Sequence, residues 1–404
     1  MKVTIAPQNL NGEIAAIASK SQAHRLLLCA ALSCKKTTIV CPEISSDIEA
    51  TAACIRALGC DVSYGEGEYV VSPALELKEN AFCDCGESGS TLRFILPVLC
   101  ALGTGARLKL RGRLAARPLS PLWEELIDHG CKLSKPFPDE IEVGGRLTGG
   151  KFKIAGNVSS QFISGLMFAL PLVGGGSIEI AGELESAGYV EMTAQALRTF
   201  GIEISFDGTT FFVPDKPYDS PGTLTVEGDW SNGAFWLCAK ALGSDINCTG
   251  LDNSSVQRDR RVIMELERIK SAEGTVDARD IPDLVPILSV FAAFADGETR
   301  FINAGRLRIK ESDRISSVVT MINALGGSAG ETPDGLVVTG SGGKKLSGGE
   351  ASSFNDHRIA MSCAICSTIC SGSVVIETAE AVNKSYPAFW DDFVKLGGRI
   401  KRED

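Results

Sequence analysis

LGCDVSYGEGEYVVS, residues 58–72, is the stretch on which the fold turns. An amphipathic helical run ends there in an apolar residue and a glycine, and an alternating strand, a turn and a second strand follow. Glycine suits the left-handed position that closes such a helix. The same phrase recurs at His129-Gly130 (CKLSKPFPDEIEV), Phe200-Gly201 (IEISFDGTTFFV), Leu325-Gly326 (GSAGETPDGLVVTG) and Leu396-Gly397 (GRIK). Gly59, Gly130 and Gly201 stand 71 residues apart, as do Gly326 and Gly397, and a degenerate copy near Gly274 in SAEGTVDARD fills the interval. Six units of about 70 residues, longer than solenoid repeats and mixing helix with strand, predict α/β subdomains grouped three to a lobe.

The run PDKPYDSPG at 214–222 puts one lobe crossing just before Asp229, and the other is expected between Ala18 and Ser21. The expected lobes are 19–228 and a discontinuous 1–18 plus 229–404, which the strand KVTIAP joins from the N-terminus. A cleft between them, closing about two hinge strands, is the expected place for a site.

A net charge of −10 argues against a nucleic-acid partner, which would require an excess of Lys and Arg on one face. The first residues lack the apolar core of a signal peptide, and no run of about 18 apolar residues occurs, so no membrane partner and a cytoplasmic setting are expected. The 14 cysteines lie mostly in apolar runs and read as reduced core thiols. Cys363, Cys366 and Cys370 are expected on one buried helix face. With three histidines in the chain, a zinc site is not expected.

The cations concentrate at helix starts. Lys20, Ser21 and Arg25 precede LLLCAAL, an anion site in outline or solvated charges behind a serine cap. GESGSTLR at 86–93 sets small hydroxyl residues and glycines before an apolar helix, without the spacing of a nucleotide loop. Ser159-Ser160-Gln161 is a third polar cap. Arg117-Pro118 reads as the opening of a helix through LSPLWEELIDHG, where a cation opposes the macrodipole unless an anion is bound. RLRIKESDR at 306–314 is the densest cluster, with Lys310 and Arg314 expected on one helix face and Glu311 close enough to exchange a proton at a substrate. In FNDHR at 354–358, a capping Asp356 beside a surface His357 competes with an anion clamp. Asp283 and Lys384 are lone charges at the edges of apolar stretches.

In this order SKSxxxR, GxSGSTLR, RP, SSQ, SAGY, IPD, RxKESDR, NDHR and NKSYP resemble the enolpyruvyl transferase family across the whole chain. That resemblance implies two lobes, each of three mixed α/β units in an inside-out barrel. It implies transfer of the enolpyruvyl group of phosphoenolpyruvate to the 5-hydroxyl of shikimate 3-phosphate, with no metal or organic cofactor, and a monomer is expected because the catalytic set is complete within one chain. The acceptor would be held by Lys20, Ser21, Arg25, Ser159, Ser160, Gln161, Ser186, Asp283 and Lys310. Phosphoenolpyruvate would be held by Lys20, Gly89, Arg117, Gln161, Arg314, His357, Arg358 and Lys384. Asp283 with Lys310 would handle the hydroxyl proton, and Glu311 with Lys20 the proton at C3.

Several positions depart from the family pattern: Glu87 for Asn, Ser90 for Thr, Gly188 for Pro, Arg306 for Asn and Ala18 for Gly. One rival is the sister enzyme acting on UDP-N-acetylglucosamine, which carries a cysteine in the loop before its Arg-Pro. Here residues 111–116 read RGRLAA. The other rival is a noncatalytic anion-binding scaffold, which would be expected to lose Glu311 or Asp283.

Overall fold

All five repeat glycines follow a helix in the left-handed region, with φ of 106° at Gly59, 97° at Gly130, 84° at Gly201, 89° at Gly326 and 91° at Gly397. The structure is a computed structural model and describes residues 1–271 and 274–403. In four of the copies the glycine leads into an antiparallel hairpin, such as Asp61–Gly65 with Glu68–Ser72 and Ser328–Thr332 with Gly335–Thr339. In the last copy the strand Ile400–Glu403 finds its antiparallel partner in Lys2–Ile5, so the N-terminus supplies the missing arm.

The five four-stranded sheets share one order. Two parallel strands lie beside an antiparallel pair, and in three of the sheets a helix joins the parallel strands and a hairpin forms the pair, as in Ala81–Asp84, Ala106–Lys109, Glu140–Gly145 and Cys131–Ser134. The sixth sheet pairs only Asn11–Ala15 with Asp245–Thr249 among the described residues. Its second helix, Val262–Lys270, is followed at once by Thr275–Asp277, which already belongs to the next sheet. The copy near Gly274 is degenerate for that reason. Ala272 and Glu273 of SAEGTVDARD lie outside the described residues.

The chain forms two compact units, Ala18–Glu227, and Met1–Ile17 with Gly228–Asp404. Both divisions fall one residue earlier than the expected 19–228 and 229–404. Backbone pairing marks the change: Ser19 N donates to Glu227 O at 2.8 Å inside one unit, and Asp229 N to Ile17 O at 2.8 Å inside the other.

Each unit has its own core, built with helices inside and sheets outside. Gly89–Leu102 buries twelve of its 14 residues and packs against Ser160–Ala169 and Lys20–Leu32. A Cβ at Gly165 would run into the carbonyl of Arg93, so only glycine lets those two backbones cross so closely. In the other unit His357–Cys366 buries all ten residues against Val285–Phe294 and Trp230–Ala241. A helix apolar all round belongs at a centre, while strands such as Glu298–Ile302 alternate buried and exposed as an outer layer must.

Cys363 and Cys366 sit on the buried helix as expected, but Cys370 lies beyond a 3-10 turn, Ser367–Ile369. Its thiol donates to Cys366 O at 3.1 Å, so it is buried without continuing the helix face. No helix among the described residues is long and apolar enough to cross a membrane.

Candidate active site

Serines start the three central helices of the 18–227 unit. Ser19 Oγ accepts from Gln22 N at 3.4 Å, Ser88 Oγ from Thr91 N at 3.2 Å and Ser159 Oγ from Gln161 N at 3.3 Å. Each cap satisfies one donor of the first turn and leaves others for an anion. Lys20 occupies the first turn of its helix and is held by Asp47, Nζ to Oδ2 2.8 Å.

Gly89, Arg93, Arg117 and Gln161 form one group. A Cβ on Gly89 would stand 2.6 Å from an Arg117 terminal nitrogen and 2.7 Å from one of Arg93, so the two guanidiniums close over a bare backbone. Gln161 Oε1 accepts from Arg93 at 3.1 Å and its amide nitrogen donates to Ser90 Oγ at 2.9 Å. Two guanidinium forks beside a helix start are suited to a carboxylate or a phosphate.

Arg25 is buried and donates to Thr193 Oγ1 at 2.8 Å, to Ser21 O at 2.6 Å and to Tyr189 O at 2.8 Å. It also lies over the Phe94 ring at 5.0 Å, and burial lowers its pKa to about 10. Ser21 and Ser159 are half-buried and Ser160 is buried. Ser186 is also buried and takes φ 55° where Ala187–Thr199 begins.

In the other unit Arg314 is the hub. Only 1% exposed, it donates to Asp283 Oδ1 at 2.8 Å, Glu311 Oε2 at 2.7 Å and Asp356 Oδ2 at 2.8 Å. Arg358 takes the second Asp283 oxygen at 2.8 Å, and Ser312 Oγ donates to Asp356 at 3.1 Å. Three carboxylates and three cations, counting the half-buried Lys310, thus meet in one cluster, with His357 buried beside them. Lys384 Nζ donates to Asn355 O at 2.7 Å. Phe354 and Asn355 both have left-handed φ, 53° and 56°, and this costly pair turns the chain into the helix that begins at His357.

Burial opposes ionisation of Asp283, but Arg358, Lys310 and Arg314 overcome it and hold the carboxyl well below the usual carboxylate range. Burial acts the other way on Lys310, lowering it to about 8 even against the pull of Asp283. In the unfolded chain this lysine keeps its ordinary 10.5, so the unfolded state binds the extra proton between about pH 8 and 10.5. The contribution of Lys310 to stability therefore rises with pH across that window. Urea unfolding of Lys310→Met and wild type at pH 7, 8, 9 and 10 should show the gap drifting toward the wild type as pH rises, and a constant gap would rule the depressed pKa out.

Two local expectations are corrected, and one alternative falls. Arg117 does not open a helix: it ends the 3-10 turn Gly112–Ala116 in an extended conformation ahead of Pro118, and the α-helix starts only at Leu122. Lys310 and Arg314 do not share a helix face, because Asp313 caps a helix that begins at Arg314, and Lys310 is extended, with φ −86° and ψ −159°. His357 is buried, not on the surface. Of the four cations in RLRIKESDR, Arg308 pairs outward with Asp313 at 3.1 Å and Glu331 at 2.8 Å, and Arg306 donates to Arg279 O at 2.8 Å.

Arg93, Asp47 and Asp356 belong to these groups although the sequence reading assigns them no place in a site. Arg93 follows Gly89 by one helical turn, a spacing that could have flagged it. Asp356 caps its helix by accepting from Arg358 N at 3.0 Å, and the cap motif hides its second task of holding Arg314. Asp47 carries no local signal, since only the tertiary fold brings it to Lys20.

The family model for EPSP synthase (3-phosphoshikimate 1-carboxyvinyltransferase) matches residues 5–393. The chain is 42% identical to the 3-phosphoshikimate 1-carboxyvinyltransferase of Clostridium perfringens strain 13 over 100% of both chains. It is 41% identical to that of Clostridium acetobutylicum over 98% of each. Among solved structures, an EPSP synthase from Acinetobacter baumannii aligns with TM-score 0.81 at 22% identity, covering 99% of this chain and 100% of that one. The enolpyruvyl transferase NikO from Streptomyces tendae gives TM-score 0.77 at 17% identity, covering 99% and 98%. These two likenesses bear on the fold.

Proposed function

Because the chain belongs to the EPSP synthase family and carries 3-phosphoshikimate 1-carboxyvinyltransferase activity, a step of aromatic amino-acid biosynthesis, we propose how its residues divide that reaction between them. The protein binds shikimate 3-phosphate and phosphoenolpyruvate. The acceptor set is Lys20, Ser21, Arg25, Ser159, Ser160, Gln161 and Ser186, completed by Asp283 and Lys310. The serines stand at or beside helix starts, where backbone N–H groups favour a phosphate. Arg25 already donates to two carbonyls, and a carboxylate is a stronger acceptor for the same guanidinium.

Phosphoenolpyruvate is assigned to Lys20, Gly89, Arg117 and Gln161, together with Arg314, His357, Arg358 and Lys384. Its carboxylate and phosphate are what guanidinium pairs grip in bidentate fashion. The acceptor 5-hydroxyl attacks C2 while C3 gains a proton. The tetrahedral intermediate then loses phosphate and a C3 proton, restoring the vinyl group. Asp283, kept ionised by its cations, and Lys310, with a pKa near the working pH, serve the hydroxyl proton. Glu311 serves the C3 proton with Lys20, its carboxylate aimed by Arg314.

The observation that carries this division is Arg314 donating to Asp283 and Glu311 from its two terminal nitrogens, which fixes two acids side by side. Phosphate release tests it: phosphoenolpyruvate with shikimate 3-phosphate should release phosphate, and with UDP-N-acetylglucosamine should not. A folded protein silent with shikimate 3-phosphate at neutral pH would sink the reading. A monomer is proposed because both substrate sets are complete within one chain, and the reduced cysteines support a cytoplasmic setting.

Gly89→Ala tests the phosphoenolpyruvate assignment alone. The added methyl must push Arg117 and Arg93 aside, so the KM for phosphoenolpyruvate should rise roughly tenfold or more, with the KM for shikimate 3-phosphate little changed. Equal rises in both constants would place Gly89 elsewhere.

A further inference from the structure

Lys20 and His24 are four apart on the helix Lys20–Leu32, and Asp47 and Thr51 are four apart on Ser46–Ala57. The two helices therefore meet in two rungs. One rung is the Lys20–Asp47 ion pair at 2.8 Å, and the other is His24 Nδ1 against Thr51 Oγ1 at 2.7 Å. The second rung runs on into a third helix. Thr51 Oγ1 lies 2.7 Å from Thr91 Oγ1, and Thr91 Oγ1 donates to Ser88 Oγ at 2.8 Å. Ser88 caps Gly89–Leu102 and precedes the glycine on which Arg93 and Arg117 close. All four side chains of this chain are buried.

We propose that His24, Thr51 and Thr91 are positioning residues for the transferase reaction, forming a one-way hydrogen-bond chain that ties the helix start at Gly89 to the helix that carries Lys20.

A hydroxyl has one hydrogen to give. If Thr91 donates to Ser88, Thr51 donates to Thr91, and His24 Nδ1 is the donor to Thr51. That assignment leaves His24 Nε2 unprotonated, and this atom has no hydrogen-bond partner among the described residues. Burial, with Lys20 and Arg25 beside it, lowers the His24 pKa well below its usual value, so the ring stays neutral and the chain keeps its direction. Ser88 Oγ accepts from both Thr91 N and Thr91 Oγ1, which pins the first turn of the helix. Breaking the chain in the middle leaves a buried polar atom unpaired and frees that turn to shift under the guanidiniums.

The proposal rests on the reading of Gly89 and Arg117 as phosphoenolpyruvate contacts, and the test separates the two. Thr51→Val keeps the shape of the side chain and removes its hydroxyl. It should raise the KM for phosphoenolpyruvate roughly tenfold, the size expected for one lost buried hydrogen bond, with the KM for shikimate 3-phosphate changing less than about threefold. Thr51→Ser should restore the wild-type value. An unchanged KM for phosphoenolpyruvate, or equal rises in both constants alongside a lower Tm, overturns the proposal. Should Thr51→Val fail to fold, His24→Asn and His24→Leu replace it. The amide of Asn puts a donor near the place of Nδ1 and should retain the low KM that Leu loses, and equal behaviour of the two overturns the chain. If Gly89→Ala raises the KM and the chain variants do not, the chain alone is wrong. If Gly89→Ala has no effect, the site reading falls and the proposal with it.

Discussion

Glu311→Gln is expected to lower kcat by about 10²–10⁴-fold while the affinity for shikimate 3-phosphate stays within about twofold. The amide oxygen of Gln can still accept from Arg314, which now meets the Glu311 carboxylate at 2.7 Å, so the side chain keeps its place. What it loses is the ability to carry a proton to C3 and take one away. The loss should appear in single-turnover rates, with titration of shikimate 3-phosphate by calorimetry showing near-normal affinity. Comparable losses in rate and affinity would instead mark Glu311 as a structural partner of Arg314.

Arg314→Met should remove activity and destabilise the Met1–Ile17 and Gly228–Asp404 unit by about 3–5 kcal/mol, the range for taking one partner from a buried ion pair. The side chain is 1% exposed and serves Asp283, Glu311 and Asp356, the last of them fully buried. Methionine fills much of the volume, so the loss is one of charge compensation. Arg314→Lys should recover little, because a single ammonium lacks the planar fork with which the guanidinium reaches three carboxylates. Adding Asp356→Asn to Arg314→Met should return part of the stability, because it removes the most deeply buried of the stranded charges. Urea unfolding of the two variants checks this, and an Arg314→Met protein as stable as the wild type would contradict the hub.

Legibility in the sequence followed the range of the interactions. The repeat could be read because its glycines answer a local demand: a helix that reverses into a hairpin needs a left-handed residue, and Gly59, Gly130, Gly201, Gly326 and Gly397 all take that conformation. Serine caps at Ser19, Ser88 and Ser159 were equally local and equally visible. The place of Arg117 is not legible because RPLSP offers two prolines near a helix start, and no local rule chooses between Pro118 and Pro121. The separation of Lys310 from Arg314 is hidden because Asp313 has the pattern of one more charge on a helix when it is the cap that starts one. The joining of Asp283, Glu311, Arg314 and Asp356 spans 73 residues from first to last and depends on packing that a pattern does not contain.

The strand Lys2–Ile5 lies between Val374–Glu377 and Ile400–Glu403, antiparallel to both. It is thus synthesised well before either neighbour and waits while about 370 further residues are made. At about 5–20 residues per second this wait is on the order of 20–75 s. Ala18–Glu227 has its own hydrophobic core and can be finished during synthesis. The sheet that takes in Lys2–Ile5 can close only after Ile400–Glu403 has emerged, so synthesis leaves this unit open while the other can already be folded.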